Sequence, residues 1–273
     1  MTTRTDIAVE LVKERTQKTH GGFNEKSYEN NGVQVSVIDI LSEDAANEIG
    51  KEKGRYVTVS FGKSDYDDTS IKNTAEAAEK EFKKMFSKKM SVLVVGLGNP
   101  ALTADAIGPR TTEKIVVTRH LREHETFGDL GLGNVSQITP NVLGKTGIET
   151  AEFTKAIVSA VKPDAVVVID ALAAREKSRL CTSIQISNTG IRPGSGVGNH
   201  RAALDRQSLG VPVFSIGVPT VIDLSENRDG GLILTPKDID IAVERCSDVI
   251  AGFLNRVFHE NSDKDTLSVF LNG

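Results

Sequence analysis

The sequence is poor in aromatic residues and has little net charge. It contains no tryptophan and three tyrosines among 273 residues, so it has few of the rings on which single-stranded nucleic acids stack. Its formal net charge of −4 gives no overall positive field that would attract nucleic acid or anionic lipid. We therefore expect neither nucleic acid nor a membrane among its partners.

Long hydrophobic runs and paired cysteine motifs are also absent. No run of about 18 apolar residues occurs, and the N-terminus MTTRTDIAVELVKER is too charged for a secretory signal. Cys181 and Cys246 are far apart and have no C-x-x-C spacing, so we interpret both as buried apolar residues. These features predict a cytoplasmic protein without a cofactor or a bound metal.

The N-terminal part of the chain differs in composition from the rest. Residues 12–31 lack hydrophobic periodicity and are rich in Lys, Glu, Asn and Gly, which is typical of mobile or looped segments. We therefore expect residues 1–31 to be a short terminal piece followed by a mobile linker, and residues 32–273 to be a single domain. Alternating valines at 33–37 and 57–59 predict two early strands in that domain.

From residue 91 onward, short apolar runs alternate with helical patterns. Three runs are apolar on both faces: VLVVG at 92–96, AVVVI at 165–169 and VPVFSI at 211–216. Such runs are typical of strands that helices cover on both sides. A helical pattern at 147–161 predicts a crossover helix, and Thr235 with Pro236 predicts the start of a C-terminal helix. The predicted fold class is α/β, with a mostly parallel sheet, helices on both faces and a small strand-containing N-terminal extension.

The stretch VVGLGNPALTADAIGP at 94–109 permits more than one interpretation. Its glycine pair and Ala101 match the dinucleotide fingerprint G-x-G-x-x-A, but no strand ending in an acid follows about 20 residues later. VGLGNP and the T-R-H at 118–120 resemble peptidyl-tRNA hydrolases over these stretches alone. A chain with negative net charge and few aromatics fits tRNA poorly, so we interpret His120 as structural.

Two aspartates support a third interpretation. Asp170 directly follows the apolar run at 165–169, and Asp105 lies just beyond the end of the run at 92–96. The carboxyl ends of strands are where open α/β sheets bind ligands. If the two strands are neighbours, both carboxylates face one crevice, where one holds a proton as the acid and the other activates water. The alternative is that each aspartate caps a helix.

A family resemblance covers most of residues 92–245. The following stretches, in this order, resemble the germination protease family of spore-forming bacteria: VVGLGN with TADAIGP, VTRHL, GIETAE, KPDAVVVIDALAAR, IQISNTGIRPGSGVGNHR, SIGVPTVID and LTPKDID. RTDIAVE at 4–10 resembles the N-terminal segment of that family. The more distant hydrogenase-maturation peptidases have a similar strand, G-x-G-N turn and acid, which implies a phosphorylase/hydrolase-like fold. They bind metal through a histidine that has no evident counterpart here.

The resemblance implies an activity and a site. It implies an endopeptidase of the spore core that degrades small acid-soluble spore proteins, works as a homotetramer and uses Asp105 and Asp170 as its catalytic pair. It also implies a precursor that trims its own N-terminus. The family's substrates are cut after an acidic residue followed by an apolar-Ala-x-Glu stretch, and residues 6–10, DIAVE, resemble such a site. We therefore expect self-cleavage between Asp6 and Ile7.

The structural alternative for this N-terminal segment is an edge strand that contains Ile7 and Val9. A short piece with charge on both sides of its apolar residues has little to pack by itself, so burial is a poor reason for its presence. We expect residues 1–6 to act as a short propeptide held near Asp105 and Asp170.

A glycine-rich loop follows at residues 193–199. Its backbone N–H groups suit a substrate or oxyanion cradle, to which we assign Gly194, Ser195, Gly196, Gly198 and Asn199. Ser195 is not expected to be a nucleophile, because no G-x-S-x-G elbow follows a strand. A tight turn without chemistry is the alternative. His200 and Arg201 are candidates to bind an acidic side chain of the substrate.

Two further functions remain open at the level of sequence. One is a metal-dependent peptidase of the maturation type, and the other is a noncatalytic sporulation protein with the same fold. The chain also departs from the family pattern at 224–234, where a short segment replaces a long insertion. This departure leaves the oligomer contacts and the substrate loops unpredicted.

Overall fold

A nine-stranded sheet with helices on both faces forms the centre of the computed structural model. The structure describes residues 4–15, 21–62, 67–87, 90–124, 127, 130–194, 201–224, 232–260 and 262. Its strands are β1 Phe23–Asn30, β2 Val33–Ile40, β3 Gly54–Ser60, β4 Val92–Gly96, β5 Val135–Ile138, β6 Ala165–Ala173, β7 Ser183–Ser187, β8 Val213–Asp223 and β9 Ile233–Leu234. Its helices are α1 Ala8–Arg15, α2 Glu43–Ile49, α3 Asp68–Phe82, α4 Ile107–Thr112, α5 Leu143–Thr146, α6 Thr150–Val161, α7 Arg206–Leu209 and α8 Ile239–Phe258. Short 3-10 turns occur at Thr103–Asp105, Arg119–Leu121 and Lys177–Arg179.

The sheet has a parallel half and an antiparallel half. Its order is β1-β2-β3-β7-β8-β6-β4-β5, with β9 paired to β8. Strands β8, β6, β4 and β5 are parallel neighbours, whereas β1, β2, β3, β7 and β8 pair antiparallel. The α/β class is confirmed. Parallel pairing is confined to the half that carries the three apolar runs, so the whole sheet is more mixed than expected.

Alternating side chains divide the core between the two faces of the sheet. Val92 and Val94 of β4 face a cluster that includes α3 and α8, and Leu93 and Val95 face a cluster that includes Val158 of α6. The strands are therefore covered on both sides, as their apolar runs indicated. Cys181 and Cys246 are both buried, which confirms their interpretation as apolar residues. Among the described residues, no helix is long and apolar enough to cross a membrane.

The mobile linker expected at residues 12–31 is wrong where the structure describes that range. Residues Phe23–Asn30 pair with β2 along its whole length, from Phe23 opposite Ile40 to Asn30 opposite Val33. The joining turn has positive φ at Asn31 (50°) and Gly32 (78°), the geometry of a tight two-residue hairpin. Polar composition misled the prediction because β1 is an edge strand, and edge strands carry exposed charged side chains.

The N-terminal segment is also more buried than its composition indicated. Ile7 is 0% exposed, and it packs with Val9 and Val12 against α2 and the strands β2 and β3. Val9 lies in helix α1, so the alternative of an edge strand is wrong. The apolar partners come from elements later in the chain, which is why the segment alone seemed to have nothing to pack against.

Candidate active site

The two aspartates of the third interpretation line one cleft. Strands β4 and β6 are parallel neighbours with Gly96 opposite Ile169, so Asp170 is the first β6 residue beyond the end of β4. Asp105 lies in the 3-10 turn that follows β4. Both side chains line a cavity of about 530 Å³ at the carboxyl end of the parallel strands. Neither aspartate caps a helix, because Asp170 lies within β6 and α4 is capped by Ala106.

Close backbone approaches fix the position of Asp105. Gly98 has φ of +114°, and a Cβ there would lie 1.9 Å from the carbonyl oxygen of Asp105. The N–H of Asn99 donates to Asp105 Oδ2 at 2.8 Å. At Gly108, a Cβ would lie 2.2 Å from the Leu97 carbonyl oxygen, so only glycine lets α4 start this close to β4. The G-x-G-N turn and the D-A-I-G motif therefore serve to place this carboxylate.

Thr220 of β8 was missed in the sequence. Its side chain is fully buried, and its Oγ1 donates to the carbonyl oxygen of Ala104 at 2.6 Å. This bond ties the turn that carries Asp105 to the strand beside Asp170. The available signal was a hydroxyl within the run V-P-T-V-I of β8, since buried hydroxyls require a partner.

Burial and neighbouring charges shift the pKa values of the two acids to different extents. Burial raises the pKa of Asp170 well above its usual range, and the charges of Asp105 and Asp6 raise that pKa further. Burial also raises the pKa of Asp105, but the Asn99 N–H and the charge of Arg201 oppose that rise. Burial and the neighbouring charges therefore favour the protonated form of Asp170, which is 6% exposed, more strongly than that of Asp105.

A third carboxylate, that of Asp6, lines the same cleft. The Asp6 N–H donates to the Ala173 carbonyl oxygen at 2.9 Å, and the Ala173 N–H donates to Asp6 Oδ2 at 2.9 Å. Strand β4 ends at Gly96, and Asp6 bonds to the edge of β6 that lies beyond this point. The segment is held further along by buried Glu10, whose carboxylate accepts the N–H groups of Arg175 and Glu176 at 2.8 and 3.0 Å.

A smaller cavity of about 140 Å³ adjoins the cleft, with Asp6 and Leu172 lining both. Lys51 and Gln185 lie among its other lining residues. Burial lowers the pKa of Lys51, while the negative charges of Asp6 and Glu52 oppose that shift. Asp6 therefore lines both cavities, one shared with Lys51 and the other with the acidic pair.

The glycine-rich loop reaches the cleft at its first residues. Pro193 and Gly194 line the cavity, and Arg201 lines it where the described chain resumes. The other loop residues of the prediction lie outside the described residues: Ser195, Gly196, Gly198, Asn199 and His200. Arg201 was expected only to bind a substrate side chain, and its charge also acts on both Asp105 and Asp170.

The remaining candidates lie elsewhere or form no cluster. His120 is exposed on the turn Arg119–Leu121. Within the part of the chain that the structure describes, no group of three or more His, Cys, Asp or Glu side chains is arranged to hold a metal ion. The rim of the cleft carries exposed apolar side chains, with Leu102 at 58% and Ile233 at 53% exposure.

Fold and cleft together define an α/β protein with an enzyme-like site, because buried acids with raised pKa values are concentrated at functional clefts. The comparison with known families gives the particular family. The model of the germination protease family matches residues 3–230. The chain belongs to the germination protease family and is therefore a peptidase of spore germination.

Two germination proteases agree with this assignment. The germination protease of Clostridium perfringens is 38% identical over an alignment that covers 98% of this chain and 99% of the relative. That of Caldanaerobacter subterraneus is 45% identical over 81% of this chain and 69% of the relative. A solved hydrogenase maturation protease, HycI from Thermococcus kodakarensis, is 21% identical and covers 64% of this chain and 98% of its own, with a TM-score of 0.40.

Proposed function

We propose that this chain is an endopeptidase that begins the degradation of small acid-soluble spore proteins in the core of a germinating spore. Membership of the germination protease family supports the substrate and the setting. The observation that carries the proposal is the pair Asp105 and Asp170 in one cleft, with the pKa of Asp170 raised by burial and by the neighbouring charge.

The pKa difference assigns a role to each acid. Asp105 takes a proton from a water molecule as the water oxygen adds to the carbonyl carbon of the peptide bond. Asp170 starts protonated and gives its proton to the amide nitrogen as the C–N bond breaks. The products are a new carboxyl group and a new amino group. Arg201 favours the ionised form of Asp105 and so keeps the base ready.

A peptide-cleavage assay tests the acidic pair. Asp105→Asn and Asp170→Asn should each lower turnover by about 10²–10⁴-fold, because each removes one partner in proton transfer. Asp164→Asn is the matched control, since that exposed carboxylate is bound by Ser91 at the opposite end of β6. Normal turnover by either folded active-site variant would rule out the mechanism. Loss of wild-type activity on chelation would favour a metal-dependent peptidase instead.

The proposal includes self-processing between Asp6 and Ile7. It is supported by the position of Asp6, which lines the cleft of the acidic pair while the segment that follows it is anchored by Glu10. Mass spectrometry after acidification or prolonged incubation should detect loss of the residues up to Asp6. An Asp170→Asn variant should stay intact. Equal trimming of the variant would contradict self-processing.

We also propose a homotetramer, on the strength of the family resemblance. Large apolar side chains such as Leu41 and Ile241 are more than half exposed on the single chain and are available for subunit contacts. Light scattering coupled to gel filtration measures the mass of the assembly directly. A single species at 29.4 kDa would contradict the tetramer.

A further inference from the structure

Gln185 of β7 bonds to the carbonyl of the peptide unit proposed for self-cleavage and to the N–H of the next peptide unit. Its Nε2 donates to the carbonyl oxygen of Asp6 at 3.0 Å, and its Oε1 accepts the N–H of Ala8 at 2.7 Å. The side chain is buried, with 7% exposure, inside a strand whose other residues are also buried. One amide therefore holds the carbonyl of the Asp6–Ile7 bond and the N–H that follows Ile7.

The strand register places this amide in line with the acids. Gln185 pairs with Gly217 of β8, and Gly217 pairs with Asp170 of β6. Directly paired residues project to the same face of a sheet, and neighbouring strands lie about 4.8 Å apart, so Asp170 and Gln185 flank Gly217 on one face with backbones roughly 10 Å apart.

The N-terminal segment bonds to the two strands that flank β8. The Asp6 N–H donates to Ala173 of β6, and the Asp6 carbonyl accepts from Gln185 of β7. Gly217 of β8 has no side chain, and a Cβ there would already lie 2.4 Å from Leu172 Cδ1. Asp6 also lines the cleft that contains Asp105 and Asp170, so the carbonyl held by Gln185 belongs to a residue of that cleft.

We propose that Gln185 is a catalytic residue that donates a hydrogen bond to the carbonyl oxygen of the peptide bond being cut. The proposal rests on cleavage at the Asp6–Ile7 bond, and it extends to separate substrates that bind where the N-terminal segment lies. When water adds to the carbonyl carbon, an electron pair moves onto that oxygen, where the Gln185 N–H stabilises the negative charge. The pair returns as the C–N bond breaks and the nitrogen takes the proton of Asp170.

A purely structural tie has different consequences from an oxyanion donor. A tie would hold the N-terminal segment in place, so its loss would change the fraction of chains that is trimmed and not the turnover of a trimmed chain. An oxyanion donor contributes to every turnover, including cleavage of a separate peptide at saturation. The kcat for such a peptide, expressed per trimmed chain as counted by mass spectrometry, is therefore the readout that a structural role would not change.

The test uses the full chain and a peptide with the sequence of its residues 2–13. Gln185→Met removes both hydrogen bonds at similar size and should lower kcat by about 10²–10³-fold, the usual effect of losing one oxyanion donor. Gln34→Met is the matched control, because it makes the same change at an exposed amide of β2, which bonds to Glu29, and its kcat should equal that of the wild type. Thermal unfolding and circular dichroism report whether each variant is folded.

A second variant keeps the proposal falsifiable if Gln185→Met does not fold. In Gln185→Glu the ionised carboxylate has no donor, whereas the protonated form regains one O–H. The ratio of variant to wild-type kcat should therefore rise as the pH falls. A ratio that does not change with pH, or an unchanged kcat in folded Gln185→Met, would overturn the proposal. If the wild type cuts neither the peptide nor its own N-terminus, the proposed function itself fails.

Discussion

Asp170→Asn should make the protein more stable at neutral pH while it removes activity. Asp170 is buried, and its charged form is opposed by the desolvation of the site and by the charges of Asp105 and Asp6. Asparagine has nearly the same shape and carries no charge. Its side-chain oxygen still accepts the N–H of Ala171, which donates to Asp170 Oδ1 at 2.9 Å. The substitution therefore removes the unfavourable charge and keeps the hydrogen bond.

The direction of the stability change follows from the raised pKa of Asp170. In the unfolded chain this carboxyl ionises near its ordinary pKa of 3.8, and in the folded chain it ionises at a higher pH. Its contribution to stability is thus fully present below the unfolded value and is lost as the pH rises through the folded value. The advantage of Asp170→Asn should be absent in acid, increase through this window and then stay constant.

The size of the effect scales with the shift in the folded state. Each pKa unit corresponds to about 1.4 kcal/mol, and 1 kcal/mol changes Tm by roughly 2–4 °C in a domain of about this size. We therefore expect about 3–5 °C of added Tm for each unit by which folding raises the pKa of Asp170.

Calorimetry across a pH series measures the Tm difference between Asp170→Asn and the wild type directly, with peptide cleavage followed in parallel. Asp164→Asn is a control of opposite sign, because the N–H and the hydroxyl of Ser91 lower the pKa of Asp164. That substitution should cost stability at neutral pH and cost nothing in acid. If Asp170→Asn destabilises the protein at neutral pH, or if its Tm difference does not vary with pH, the assignment of Asp170 as a strained buried acid is wrong.

Other substitutions test the turn, the coupling of the acids and the N-terminal segment. Gly98→Ala should lower activity and destabilise the chain by at least about 1–3 kcal/mol, because the residue has φ of +114° and the added Cβ meets the Asp105 carbonyl oxygen; unchanged turnover would contradict this. Asp105→Asn should move the titration of Asp170 to lower pH, as infrared difference spectra of the carboxyl band can measure, since one of the charges that raise that pKa is removed. Ile7→Ala should cost about 2–5 kcal/mol in urea unfolding, whereas Leu102→Ala, at an exposed site, should change stability by less than about 0.5 kcal/mol; equal effects would refute the docking of the segment.

The parallel half of the sheet was predictable because its signal is local. A run such as VLVVG or AVVVI is apolar at every position, and only strands covered on both faces need this pattern. Helix boundaries were less predictable. The C-terminal helix begins at Ile239, later than Thr235 indicated, and the buried residues of α6 are Thr150, Thr154 and Val158.

The antiparallel half depended on information that the sequence carries weakly. Strand β1 is polar because it lies at the edge, so periodicity did not distinguish it from a loop. Helix α1 is only eight residues long, and its burial depends on Ile38, Ile40 and Ile49 in other elements. Such segments are recognised only when their partners are known, since docking, and not local propensity, orders them.

The residues of the site also differ in how far the sequence predicts them. Asp105 and Asp170 were predictable because each follows an apolar strand, and the sheet brings the ends of neighbouring parallel strands together. The place of Asp6 depends on the open edge of β6 beyond Gly96, and that of Gln185 depends on the register of β7 against β8. A one-residue change in that register would turn Gln185 to the opposite face of the sheet and away from the Asp6 carbonyl. Gln185, in the antiparallel half of the sheet, therefore holds the Asp6 carbonyl, whereas Asp105 and Asp170 both belong to the parallel half.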